Sequence, residues 1–172
     1  DCGQHGRHGE WGLLVHRCQL STKAFESGGP VDAVAFSPDG THSISGDWDG
    51  KAVIRDVVSG EVVHSFDHGQ YVHAVDYSPD GKLVATGGSD RAVRILDAAT
   101  GELKLTLAGH EDAVLSVRFS PDGKQILTSG YDNTALVWDI TTGRQIQKLL
   151  GHSWWVWDAE FSPNGERIVT VG

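Results

Sequence analysis

The tetrapeptide Ser-Pro-Asp-Gly begins at Ser37, Ser78 and Ser120, and a Ser-Pro-Asn-Gly variant begins at Ser162. The intervals are 41, 42 and 42 residues. Self-similarity at that period means one supersecondary unit copied along the chain, so the fold must be an array of such units. Each tetrapeptide carries the chemistry of a chain reversal: Pro fixes φ, Asp or Asn bonds back to the backbone, and Gly accepts positive φ.

The flanks of these turns alternate as strands do, with successive side chains on opposite faces. Val34 and Phe36, Val75 and Tyr77, and Val117 and Phe119 precede the turns; Ile44, Leu83 with Val84, and Ile126 with Leu127 follow them. Nine residues past each turn glycine stands an aspartate: Asp49, Asp90 and Asp132. A third strand is predicted over residues 52–55, 92–96 and 135–138, closed by turns at Gly60, Gly101 and Gly143. A fourth carries Val62 and Phe66, Leu103 and Leu105, and Ile146 and Leu149. Four short strands per roughly 42 residues is the spacing of one β-propeller blade. The expected fold is therefore all-β: about three complete four-stranded blades with partial blades at both ends. The expected units are 1–27 (the degenerate end of a preceding blade), 28–67, 68–108, 109–150 and a truncated 151–172, with Thr22–Glu26 the end of a fourth strand.

Gly-His at Gly109-His110 and Gly151-His152, and Trp-Asp at Trp138-Asp139, make the repeats resemble the WD40 family from about Gly28 to Gly172. The resemblance implies a hydrogen-bonded set inside each blade: a histidine, a second-strand hydroxyl, the turn aspartate and a third-strand tryptophan. The third repeat has all four as His110, Thr128, Asp132 and Trp138. The second has His68, Thr86 and Asp90 but Leu96 for the tryptophan, so its set is expected to stop at the aspartate. The first keeps Ser45 and Asp49, with Ser27 and Arg55 at the other places, and the fourth shows His152 and Thr170. Family propellers close at about seven blades, so roughly half a propeller is expected here, belonging to a longer parent chain. The absence of methionine, even at position 1, agrees with that expectation.

Charge narrows the function classes. With 14 Lys and Arg against 23 Asp and Glu the net charge is -9, which disfavours nucleic acid and anionic membranes, both of which need clustered cations. No apolar run approaches the roughly 20 residues of a membrane helix, and the polar start shows no signal peptide. Cys2 and Cys18 form no CxxC pair, and a reducing, cytoplasmic setting is expected.

A His, a Thr and an Asp close in space invite a catalytic-triad reading. The trio recurs in two repeats, whereas a catalytic site is normally unique, and nothing suggests an oxyanion pocket; no catalytic residue and no cofactor are expected. Asp47-Trp48-Asp49-Gly50 lacks the remaining ligands of a calcium loop and reads as a β-turn. Cys2, His5, His8, His16 and Cys18 have no tight paired zinc spacing, so no metal is expected.

By the resemblance, partner-binding side chains lie three and five residues after the Gly-His histidine and just before the turn aspartate. Those places hold Pro30, Asp32 and Trp48; Tyr71, His73 and Ser89; Ala113, Leu115 and Tyr131; and Trp155 and Trp157, beside Trp154. Strand alternation with Val156 inward is expected to turn Trp155 and Trp157 outward, beside Tyr131 and Leu115. The candidate binding residues are Trp155, Trp157, Tyr131, Leu115, Tyr71, His73 and Trp48, on an acidic-rimmed face that takes a protein or peptide. Two alternatives stand beside this scaffold reading. Ser-Pro-Asp-Gly arrays look like those attached to bacterial signalling enzymes such as Ser/Thr kinases, which implies a regulatory role; no kinase motif occurs in the chain itself. Two copies could also pair open blade edges into one ring.

Overall fold

The computed structural model describes residues 12–16 and 22–172, with side chains from Ala24 onward. The strands fall into five antiparallel sheets without crossovers. The first is a pair, β1 (Gly12–His16) with β2 (Thr22–Glu26). Blade one is β3 (Val31–Phe36), β4 (His42–Asp47), β5 (Lys51–Asp56) and β6 (Val62–Asp67). Blade two is β7 (Val72–Tyr77), β8 (Leu83–Gly88), β9 (Ala92–Asp97) and β10 (Leu103–Ala108). Blade three is β11 (Val114–Phe119), β12 (Gln125–Gly130), β13 (Ala135–Asp139) and β14 (Gln145–Leu149). β15 (Asp158–Phe161) and β16 (Ile168–Val171) begin blade four. The sequence pointed to β2; its partner β1 was not foreseen.

The core lies between blades. Val84 of β8 packs towards Ile44 and Ile54 of blade one, while its neighbour Ala85 packs towards Val117 and Ile126 of blade three. In β12, Ile126 faces blade two and Leu127 faces Ala159 and Phe161 of blade four. A period of two thus divides each middle strand between two interfaces, and both faces are apolar. The fourth strands β6, β10 and β14 are the exposed outer edges. Val34 and Phe36 of β3 and Val169 and Val171 of β16 remain exposed.

The Ser-Pro-Asp/Asn-Gly turns join first to second strand in every blade. Gly81 has φ +72° and its N–H donates to the Ser78 carbonyl at 2.8 Å, the left-handed position that glycine fills without strain. The serine does as much as the proline: Ser78 Oγ donates to Asp80 (2.7 Å) and accepts the Leu83 N–H (2.9 Å). The same two bonds recur at Ser37, Ser120 and Ser162. The turns also touch: a Cβ on Gly81 would meet Pro38 Cδ at 3.4 Å, so neighbouring turns stack along one end of the array.

Tyr77 ends β7 where Phe36, Phe119 and Phe161 end the other first strands. Its hydroxyl is buried without a hydrogen-bond partner among the described residues, and burial raises its pKa to about 12. Removing an orphaned hydroxyl while keeping the ring removes a desolvation penalty. Tyr77→Phe is therefore expected to be neutral or stabilising by up to about 1 kcal/mol in urea unfolding. A loss of stability of that size would show that the hydroxyl has a partner.

Candidate functional site

Two constellations occupy one end of the blades, formed by the fourth-to-first-strand loops and the second-to-third-strand turns. The deeper is the histidine set. In blade three, Trp138 Nε1–H donates to Thr128 Oγ1 (2.9 Å) and His110 Nε2 meets the same hydroxyl at 2.7 Å. His110 Nδ1 meets Asp132 Oδ2 at 2.8 Å. A carboxylate only accepts, so Nδ1 carries the proton and Nε2 accepts the threonine O–H. Every polar atom of the set is used. Gly109 allows this closure, since a Cβ there would stand 2.7 Å from Trp138 Cη2.

Blade two solves the same problem with the proton on the other nitrogen. Arg94 Nη1 donates to His68 Nδ1 (2.6 Å) and also to Asp90, so His68 carries its proton on Nε2 and donates to Thr86 (2.8 Å). The expectation that this set stops at the aspartate is corrected: with no indole N–H at Leu96, Arg94 from the same strand supplies the donor and bridges His68 to Asp90. In blade one, Ser27 turns its hydroxyl to the Gly29 carbonyl (2.5 Å) and Arg55 donates to the Glu26 carbonyl (2.9 Å). No imidazole is present there to join Ser45 to Asp49, and Asp49 lies against Gly28 and Gly29 instead. In blade four His152 Nε2 meets Thr170 Oγ1 at 2.8 Å.

These environments make the sets acid-labile. Burial, reinforced by the Arg94 charge, lowers the His68 pKa to about 4. Burial pushes Asp132 up, but bonds from His110, the Glu111 N–H and Thr134 outweigh it and hold the carboxyl well below its usual range. Below about pH 6.5 the unfolded chain binds a proton that folded His68 refuses until about pH 4. Stability is therefore lost as pH falls through that window, by roughly 3 kcal/mol for this one group. Asp132 contributes above the ordinary carboxylate range and loses its contribution in stronger acid. Urea unfolding should weaken between pH 7 and 4.5, and His68→Gln should flatten that dependence. Thr128→Val orphans the Trp138 N–H and His110 Nε2 together and should cost about 2–4 kcal/mol at pH 7.

The second constellation is the rim. The main chain pairs its positions within each blade: the Trp48 N–H bonds to the Pro30 carbonyl (3.0 Å), Ser89 to Tyr71 (2.9 Å) and Tyr131 to Ala113 (2.9 Å). Strand register slips between Val31 and Ala33, Val72 and Ala74, and Val114 and Ser116. Asp32, His73 and Leu115 are thus β-bulge residues, and a bulge re-aims the side chain it carries. Bulges were not foreseen in the sequence. Trp157 stands 42 residues after Leu115, ahead of β15, with its N–H on the Val171 carbonyl (2.8 Å). The expectation of strand alternation across residues 155–157 is corrected: this stretch is a loop. Val156 is fully buried within it, Trp157 is 51% exposed and Trp155 is half-buried.

Rings meet across blade junctions. Tyr131 of blade three lies 4.3 Å from Trp155 and 5.8 Å, edge-on, from Trp157. Trp155 also meets Trp157 (5.5 Å, 79°) and Trp154 (5.4 Å), and Trp154 is 63% exposed. Leu115 is half-buried on the same rim. A second group, foreseen only as separate residues, joins blades one and two: Trp48 stacks on Tyr71 (5.5 Å, 17°) and Tyr71 stands edge-on to His73 (6.1 Å). Between blades two and three the same places hold Ser89 and Ala113, so a low stretch separates two aromatic ridges. The exposed Glu111 and Asp112 precede Ala113 in the loop beside Tyr131.

Asp47-Trp48-Asp49-Gly50 forms the β4–β5 turn, with the Asp47 carboxylate accepting the Lys51 N–H at 2.8 Å. Among the described residues no cluster of His, Cys, Asp or Glu could hold a metal. The sulfur and imidazole groups of Cys2, His5, His8, His16 and Cys18 lie outside the described side chains.

The family model "WD domain, G-beta repeat" matches residues 17–56, 60–97, 101–139 and 143–172, and the chain belongs to the WD40 family. Each match is one strand out of phase with the sheets: 60–97 takes β6 of blade one with β7, β8 and β9 of blade two. WD40 repeats generally mediate protein–protein interaction, and their domains are typically non-catalytic scaffolds. No curated protein matches the sequence significantly.

Proposed function

We propose that this chain is a protein-interaction platform whose partner surface is the aromatic rim, centred on Tyr131, Trp155 and Trp157 with Trp154 and Leu115 beside them. The observation that carries this reading is four aromatic rings packed together at one blade junction while two of the tryptophans stay more than half exposed. Large rings held rigid at a surface give much contact area for little lost side-chain freedom, and they dominate interface energetics. Trp48, Tyr71 and His73 extend the surface to the other ridge. Glu111 and Asp112 border it with negative charge, which favours basic segments of a partner. Among the described residues no helix is long and apolar enough to cross a membrane, and a cytoplasmic setting fits the composition.

The surface is tested with an array of peptides graded in charge, bound to the immobilised chain, with affinities read by tryptophan fluorescence. Trp157→Ala and Trp155→Ala should each weaken the best binder about tenfold or more with the melting temperature preserved. Unchanged affinity in both variants would move the site elsewhere.

A second reading is favoured by the exposed apolar residues on the end faces, Val34 and Phe36 on one and Val169 and Val171 on the other. Each could be covered by further blades of a longer parent, including a signalling enzyme that uses the array as a sensing arm, or by a second copy. Sedimentation at rising concentration separates pairing from a monomer.

A further inference from the structure

At the other end of the blades, where the Ser-Pro-Asp-Gly turns stack, a cleft of about 460 Å³ opens at the junction of blades one and two. We propose that this cleft receives the guanidinium of an arginine side chain from a protein or peptide partner, at a contact separate from the aromatic rim. Tyr77 is the large buried side chain of its lining, Asp39 and Asp80 border it, and Pro38, His42 and Ala98 wall it.

The polar atoms that this lining leaves unfilled are suited to a hydrogen-bond donor. The Tyr77 hydroxyl is buried and has no hydrogen-bond partner among the described residues. Asp39 joins burial in raising its pKa, which places the carboxylate near the hydroxyl. Three groups donate to Asp39: Ser37 Oγ (2.6 Å), the Thr41 N–H (3.0 Å) and Thr41 Oγ1 (2.8 Å). All three bonds fall on Oδ1, and Oδ2 accepts none among the described residues. They hold the carboxyl down at about 2, so the cleft keeps a negative charge at neutral pH. Thr41 Oγ1 spends its only proton on Asp39 and therefore accepts from His42 Nδ1 (2.8 Å), which leaves a lone pair on His42 Nε2. Asp80 is already met by the exposed Lys82 Nζ at 3.5 Å, so Asp39 is the principal anion. A guanidinium presents five N–H donors in one plane and can serve a carboxylate and a hydroxyl together. It is also more weakly hydrated than an ammonium, which suits it to the apolar walls of Pro38 and Ala98.

The repeats show that the fold does not require these groups. Tyr77 stands where the other first strands end in Phe36, Phe119 and Phe161. Thr41-His42 stands where the later turns continue as Lys82-Leu83, Lys124-Gln125 and Glu166-Arg167. A hydroxyl replaces a plain ring, an imidazole is added, and the lysine that follows two of the other turns is absent. The three departures meet at one junction, although Tyr77 belongs to blade two and Thr41 and His42 to blade one. An orphaned buried hydroxyl carries a desolvation cost that a bound N–H donor would offset.

The probe is acetyl-Gly-Gly-Arg-Gly-Gly-amide, with citrulline and lysine versions beside it, titrated into the isotope-labelled full chain and followed by amide resonances. At about 0.15 M salt, where surface attraction is screened, the arginine peptide should shift the amides of Thr41, His42, Tyr77 and Ala98. It should bind about tenfold more tightly than the citrulline peptide and several-fold more tightly than the lysine peptide. Tyr77→Phe and Asp39→Asn should each weaken it about tenfold. Both variants follow precedents within the chain: phenylalanine ends the other first strands, and Asn164 accepts the corresponding bonds from Ser162 and the Glu166 N–H. The inference rests on the reading of the array as a protein-interaction platform but not on the rim. Trp157→Ala, which disables the rim, should leave this titration unchanged, so either site can fail while the other stands. Shifts confined to the rim, parity of arginine with citrulline or lysine, or full affinity in both cleft variants would overturn the proposal.

Discussion

Face-to-face packing of adjacent sheets is the contact on which the rest of this structure depends. Each middle strand sends alternate side chains to two different neighbours, as Val84 and Ala85 do in β8 and Ile126 and Leu127 do in β12. A lone four-stranded sheet with two apolar faces has nowhere to bury them, so a blade gains its core only from the blades beside it. The exposed apolar residues of β3 and β16 are surfaces that no described sheet covers. The rim follows from the same stacking, because its side chains meet across blade junctions.

Inside the blades, one geometric slot is satisfied by two hydrogen-bonding solutions. Trp138 feeds Thr128, which feeds His110, which feeds Asp132. With leucine at the corresponding place in blade two, the direction reverses: Arg94 feeds both His68 and Asp90, and His68 feeds Thr86. The backbone need not change, because an imidazole can carry its proton on either nitrogen. Such sets organise a blade without doing chemistry. At the rim the corresponding places differ between repeats in size and polarity, from Pro30 to Tyr71, Ala113 and Trp155.

Much of this was legible in the chain. Turn chemistry is local, so the four tetrapeptides announced the hairpins, and the strands between them followed from period-two alternation. The role of the turn serine was hidden, since its second bond reaches five residues ahead, to Leu83 in blade two. The bulges at Asp32, His73 and Leu115 were hidden as well, because a register slip is a property of two strands together and leaves no mark on one. Arg94 was missed because it lies two residues before the place where the tryptophan was sought. Tyr131, Trp155 and Trp157 were foreseen as neighbours from the family resemblance, Tyr131 by its place before the turn aspartate and the tryptophans by counting from His152. The direct strand argument for their outward aim did not hold, since residues 155–157 form a loop.

The sequence by itself determined the period, the four-strand unit and the turn positions, because each rests on interactions within one repeat. Only the tertiary structure decided that Trp48 would stack on Tyr71, that three rings would gather around Trp155, and that His73 would meet both Asp32 and Ser89. Those groups draw on residues from two blades, and Asp32 and His73 stand 41 positions apart. Their meeting depends on how one sheet settles against the next. That geometry is set by the summed packing of both cores and is not encoded in any single motif.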